Sequence, residues 1–153
     1  MPTYRSLSLN ELKLFQKEFA EYLAVNGIDA DLWREIKESD QEKVDGIIDT
    51  FSDVVYNSVL HKMEHIEYAT ENDIKYFHYG KEKAQLIGLE SDEVSFMNPK
   101  EVLEAIENKR ASIKSYKTSK TYTQKREVEL FAMLKNGCQP SDGSMFKLLS
   151  SIV

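Results

Sequence analysis

Two histidines and a glutamate fall within five residues of this chain, as His61, Glu64 and His65. Their order is that of the inverted zinc peptidases, where two histidines one helical turn apart hold the metal and the glutamate activates its water. If residues 61–65 are helical, both imidazoles leave one helix face, and Glu127 or Glu129 from a later helix would supply a third ligand. The chemistry implied is metal-dependent hydrolysis with His61 and His65 as ligands. The surroundings argue the other way. His61 and Glu64 lie off the apolar stripe of their helix, so a solvated charged face accounts for the same residues.

A second set of residues has the chemistry of anion binding. Between Asn108 and Arg126 stand seven Lys or Arg and no acid, whereas residues 1–107 hold 23 Asp or Glu against 11 Lys or Arg. Such a basic stretch concentrates anions locally while the rest of the molecule repels them. Lys109, Arg110, Lys114, Lys117, Lys120, Lys125 and Arg126 are interleaved with Tyr116 and Tyr122, the ingredients for pairing phosphates and stacking bases. The polyanion-binding candidates are Lys114, Tyr116, Lys117, Lys120, Tyr122 and Arg126. If residues 113–117 form a strand, Lys114 and Tyr116 share one face and Lys117 points oppositely, so the charges cannot all sit on one strand surface, although Lys120 and the next helix could curve them together. Two plainer accounts use the same residues. Lysine on an edge strand blocks unwanted strand pairing, and the basic segment can pair with acids of its own fold.

Other reactive types lack the setting their chemistry needs. Cys138 is the only cysteine, which excludes an intrachain disulfide and a cysteine-based zinc site. A nucleophilic role would need a base beside it, and none is visible. Pro2 resembles the amine of some tautomerases, but a helix-leading Thr3-Tyr4-Arg5 follows it where a strand would be needed. The glycines stand singly, so no phosphate cradle is formed and no cofactor is implied. No catalytic residue is assigned.

The elements that must position these residues are legible as periodicity and caps. Ser8 with Glu11 is a capping box, and Leu12, Phe15, Phe19, Tyr22 and Leu23 follow at spacings of three and four until Asn26-Gly27. One helix is expected there. Asp29 caps a short helix bearing Leu32, Trp33 and Ile36, and Asp40 caps a third whose spacing from Val44 to Ile66 persists to about Glu67, a rod of roughly 40 Å. Leu60 lies off the main stripe of that rod, and packing on a sheet is preferred over a dimer seam to cover it. Ile74–His78 and Ala84–Leu89 read as a β-hairpin across Gly80, Val94-Ser95-Phe96 as a further strand, and Ile113–Lys117 as another. Asn98-Pro99-Lys100-Glu101 opens a helix to about Asn108. Thr121 with Gln124 opens one that stops at Asn136-Gly137, and Pro140–Gly143 turns into a short terminal helix. Helices first and strands later give an α+β fold: N-terminal helices including one long helix packed on a small, mostly antiparallel sheet, with further C-terminal helices.

With 153 residues, 41% hydrophobic and 30% charged, the chain is expected to form a single domain over 1–153. No apolar run approaches the roughly 20 residues needed to span a bilayer. The amino terminus lacks a signal-peptide hydrophobic segment, so a cytoplasmic protein is expected. The net charge of −6 opposes general binding to nucleic acid or anionic membranes. The segments TYRSLSLNELKLFQKEFAEYLAVNGIDADLW, FSDVVYNSVLHKMEHIEY and ELFAMLKNGCQPSDGSMFKLL resemble a domain-of-unknown-function family of small bacterial proteins, found mainly in the Bacteroidetes. That resemblance implies a single cytoplasmic domain and no established activity, cofactor or partner. The leading expectation is a non-enzymatic protein-interaction module, monomeric or homodimeric, with an unidentified protein partner and no membrane association. The alternatives are a local nucleic-acid or other polyanion binder through residues 109–126, and a metal-dependent hydrolase built on His61, Glu64 and His65.

Overall fold

The computed structural model describes residues 2–108 and 112–152. The chain divides into two compact units, Met1–Val59 and Leu60–Val153. The first is helical. It contains α1 (Leu9–Leu14), α2 (Gln16–Val25), α3 (Ala30–Ser39) and most of α4 (Gln41–Lys62). The Ser8 cap forms as its sequence requires, with the Glu11 N–H donating to Ser8 Oγ at 3.2 Å and the Ser8 N–H to Glu11 Oε1 at 2.9 Å. Asp29 and Asp40 cap α3 and α4 in the same way, accepting from the N–H groups of Leu32 and Lys43 at 2.8 and 3.1 Å.

The single first helix expected from the apolar stripe is broken. Phe15 adopts φ −108°, ψ 26° and separates α1 from α2, although neither glycine nor proline marks the site. Packing sets the direction of α2, whose Phe19 and Tyr22 rings lie 4.9 and 5.3 Å from the Phe51 ring of α4. At its other end α2 stops at Gly27 (φ +75°), where the Ile28 N–H reaches back to Leu23 O at 2.8 Å. The chain before α1 is tied to α4 by hydrogen bonds that periodicity cannot reveal. The Thr3 N–H donates to the Asp53 carboxylate at 2.9 Å, and the Leu7 N–H to Oγ of the fully buried Ser52, also at 2.9 Å.

The second unit holds an antiparallel sheet of strand order β4-β3-β2-β1-β5. Its strands are β1 (His65–Ala69), β2 (Asp73–Tyr79), β3 (Lys83–Glu90), β4 (Lys114–Thr121) and β5 (Gln139–Pro140), with helices α5 (Pro99–Glu107), α6 (Arg126–Lys135) and α7 (Ser144–Ser150). The hairpin across Gly80 and the strand after Ile113 form as expected. Ile74, Tyr76, Ile87 and Leu89 share one face and build the core with Val94, Phe96, Val102, Ala105 and Leu149. With a long helix ahead of the sheet and helices at the C-terminus, the fold is α+β.

Three boundaries differ from the sequence reading. The long helix ends at Lys62, giving a rod of about 33 Å, and His65–Ala69 forms β1, paired with β2 from His65↔His78 to Ala69↔Ile74. Ile66 fits a helix stripe and a strand equally well, and the long-range pairing decides between them. Val94-Ser95-Phe96 is no strand; the segment is irregular, with Val94 and Phe96 buried in the core. Thr121 does not open a helix, because β4 runs through it to pair with Lys83. Helix α6 starts instead at Arg126, preceded by Thr123 and Gln124 N–H groups that donate to the Glu129 carboxylate at 3.1 and 3.5 Å.

Candidate functional site

The His-x-x-Glu-His run is divided between two elements, which removes the shared helix face its reading relied on. His61 is in the last turn of α4 with its side chain 82% exposed, and its Nδ1 lies 3.4 Å from Glu127 Oε1. His65 opens β1 and is buried, its ring 4.8 Å from that of His78 and 5.7 Å from Phe146. Burial, together with His78 and Lys147 nearby, pushes the His65 imidazole below its ordinary pKa. Gly143 (φ +82°) lies against this ring so closely that a Cβ there would come within 2.5 Å of Nδ1. Among the described residues, no group of three or more His, Cys, Asp or Glu side chains is placed to hold a metal ion.

Of the basic segment, Lys109 and Arg110 lie outside the described residues. The polyanion candidates are on edge strand β4, at the start of α6 and, for Tyr122, in the segment between them, and several of their polar groups are used within the fold. The Tyr116 hydroxyl donates to Asp73 Oδ2 at 2.6 Å, and Lys75 Nζ donates to Oδ1 of the same carboxylate at 2.6 Å. The Tyr116 ring fits because its partner across the sheet is Gly88, where a Cβ would sit 2.0 Å from Tyr116 Cζ. The Tyr122 hydroxyl donates to Gly80 O at 2.7 Å while its ring stacks on Tyr79. Lys120 lies 3.4 Å from Glu129, whereas Lys114 is on the face of β4 shared with Tyr116, and Lys117 is on the other face. Arg126 is the most committed of them. Its guanidinium donates to Leu60 O at 2.9 Å, to Tyr79 O at 3.0 and 3.2 Å, and to Met63 O, and only 13% of its side chain is exposed. It occupies the carbonyl end of α4, where a helix favours a cation.

Two concave surfaces carry chemistry the sequence reading did not locate. In the helical unit, a groove of about 380 Å³ runs between Phe15, Tyr22 and Val25 on one side and Phe51, Val54, Val55 and Val59 of α4 on the other. Val25 is 86% exposed and Val54 and Val59 are each 50% exposed. Glu18 and Glu21 also line it. This unit holds twelve Asp or Glu and six Lys or Arg, while the sheet unit holds fourteen of each, so the formal charge of −6 belongs entirely to the helical unit. The spacing from Val44 to Ile66 marks an apolar stripe, but which part of it stays exposed cannot be seen from periodicity alone.

In the sheet unit, a cleft of about 530 Å³ is bounded by β1, β2, α5 and the residues leading into α7. Glu67 and Tyr76, opposite one another on β1 and β2, share the face that lines it. Tyr76 is 3% exposed, and burial and Glu67 raise its phenol well above the ordinary range. Burial and Asp142 likewise raise the Glu67 carboxyl. Asp142 is held low by hydrogen bonding to Ser144, whose N–H donates to its Oδ1 at 2.9 Å. Neither the Glu67 carboxyl nor the Tyr76 hydroxyl makes a hydrogen bond or ion pair with any described residue. Cys138 is buried and its thiol is pushed up by burial, opposite to what a nucleophile requires.

Comparison with known proteins places the chain in one family. It belongs to the family of unknown function DUF6495, whose sequence profile matches residues 1–153. No curated protein and no solved structure matches it.

Proposed function

We propose that this protein is a non-enzymatic interaction module whose helical unit receives a basic amphipathic helix from a protein partner. The observation that carries the reading is the groove between α2 and α4. Two helix faces with exposed valines flank it, and a third helix laid between them would bury what they leave in water. Charge selects the partner's sign. Glu18 and Glu21 line the groove of a unit carrying all six net negative charges, so the approaching helix must be basic, and a second copy of this acidic unit is disfavoured. A single, buried cysteine suits a reducing compartment, in keeping with a cytoplasmic module.

The test is a fluorescence-anisotropy titration of the full chain with a labelled Leu/Lys amphipathic helix of about five turns, against a Leu/Glu helix with the same apolar face. The basic peptide binds saturably, and Val54→Asp or Val59→Asp, on half-exposed sites, weakens it by about tenfold or more. Equal binding of the acidic peptide, or none by the basic one, overturns the reading.

A second reading, polyanion binding, draws support from Lys114, Lys117 and Lys120 spaced along edge strand β4. It is the weaker because Tyr116, Tyr122 and Arg126 are engaged within the fold. Titration with RNA, DNA and nucleotides at low and moderate salt separates the two, since phosphate-driven binding must fall steeply as salt rises.

A further inference from the structure

We propose that the cleft lined by Glu67, Tyr76 and Asp142 is a binding site for an organic cation, a protonated amine or guanidinium carried on an apolar stem. The cleft is independent of the helical groove, lying wholly within the sheet unit.

Its size falls within the roughly 300–1,000 Å³ of small-ligand sites. Its chemistry is one-sided. Two carboxylates and a phenol face a largely apolar wall that includes Phe96, Val102 and Met145; Ser141 and Ser144 add hydroxyls, and no Lys, Arg or His lines it. An anion would meet only hydroxyl donors beside two carboxylates, with no cation to pair it. A neutral donor could hydrogen-bond the Glu67 carboxyl but would leave its charge uncompensated, and a half-buried carboxylate without a counter-charge is unfavourable by itself. The Tyr76 hydroxyl, on a residue 3% exposed, likewise has no hydrogen-bond partner among the described residues. A cation meets both needs, since its N–H groups can donate to Glu67 and to the phenol while Asp142 adds attraction at longer range. His65 and Lys147 are the other titratable groups acting on Asp142. The apolar wall asks for an organic body, which separates this ligand class from a bare metal ion. Met97 and Leu103, 62% and 41% exposed, also line the cleft, where a flexible thioether adapts to stems of different shape.

The same chemistry is offered by a free amine and by a lysine or arginine side chain of a peptide. The experiment therefore titrates isotope-labelled full-length protein by two-dimensional NMR with hexylammonium and with acetyl-Leu-Lys-Leu-amide. Hexanol and hexanoate serve as neutral and anionic controls of matching stem. The expected result is saturable binding of at least one cation with shifts centred on Glu67, Tyr76 and Asp142, and no saturation by either control. Whichever cation binds more tightly identifies the source. Glu67→Gln, isosteric and only part-buried, lowers the affinity about tenfold, and Tyr76→Phe lowers it less. Asp142→Asn, at an exposed position that keeps the cap on Ser144, gives a smaller loss and serves if the first variant misfolds. The proposal is overturned if hexanol binds as well as hexylammonium, if no cation saturates, or if folded Glu67→Gln binds unchanged. Shifts on Glu18, Val25 or Val54 would report binding in the helical groove instead, so the same titration reads the two sites separately.

Discussion

Arg126 shows how a residue type suited to phosphate is taken up by the backbone. Three carbonyls, of Leu60, Met63 and Tyr79, depend on one largely buried guanidinium. Arg126→Ala should therefore lower stability in urea by about 3 kcal/mol, because charge-assisted bonds to buried acceptors are lost together. Arg126→Lys should recover only part of this, since a point charge cannot serve three carbonyls in a fork. A change within about 0.5 kcal/mol, the range for ordinary surface sites, would mean that Arg126 is available for a ligand. Glu67 makes the opposite prediction. Its folded pKa is raised, so between the unfolded value near 4.5 and that raised value the folded chain binds more protons than the unfolded one. Stability contributed by this group is present below pH 4.5 and declines as pH rises through the window. Glu67→Gln should then be more stable than the parent at pH 7 and equal to it near pH 4, as read from urea midpoints. A residue that works against its own fold at neutral pH is what a binding site, rather than a core, retains.

Among the elements, caps and turns were readable because their chemistry is local. Ser8 with Glu11, Asp29, Asp40, Asn98 and Asn26-Gly27 each form as their types dictate. What was not readable depends on partners far along the chain. Ile66 and Tyr68 became a strand because β2 is there to pair with them, and that change separated His61 from His65. Thr121 has the composition of a helix cap but was claimed by β3. The true start of α6 rests on Glu129, which takes the Thr123 and Gln124 N–H groups and also neighbours Lys120. Glu129→Ala should thus cost about 1 kcal/mol, comparable with loss of an N-cap, whereas Gln124→Ala should be nearly silent; urea denaturation of both variants decides it. The cleft and the groove escaped the sequence reading for the same reason. Glu67 is visible as a residue, but its position opposite Tyr76 requires the register of β1 on β2.

At the scale of the molecule, the division of charge is the main guide to function. The basic segment that stands out in the sequence is balanced within its own unit, and its charges are partly spent on Glu127 and Glu129. The helical unit has no such balance: its acids outnumber its bases twelve to six, and its groove leaves Val25, Val54 and Val59 to solvent. Acidic surface beside exposed aliphatic side chains is the arrangement that recognises a basic amphipathic helix. The most direct measurement is backbone NMR mapping of the full chain on addition of the Leu/Lys helix, in low salt and again at about 0.5 M, where screening reaches within a few ångströms. The account predicts shifts concentrated on Glu18, Tyr22, Val25, Val54 and Val59, with weaker binding at high salt. Shifts concentrated on β4, or none in the helical unit, would contradict it.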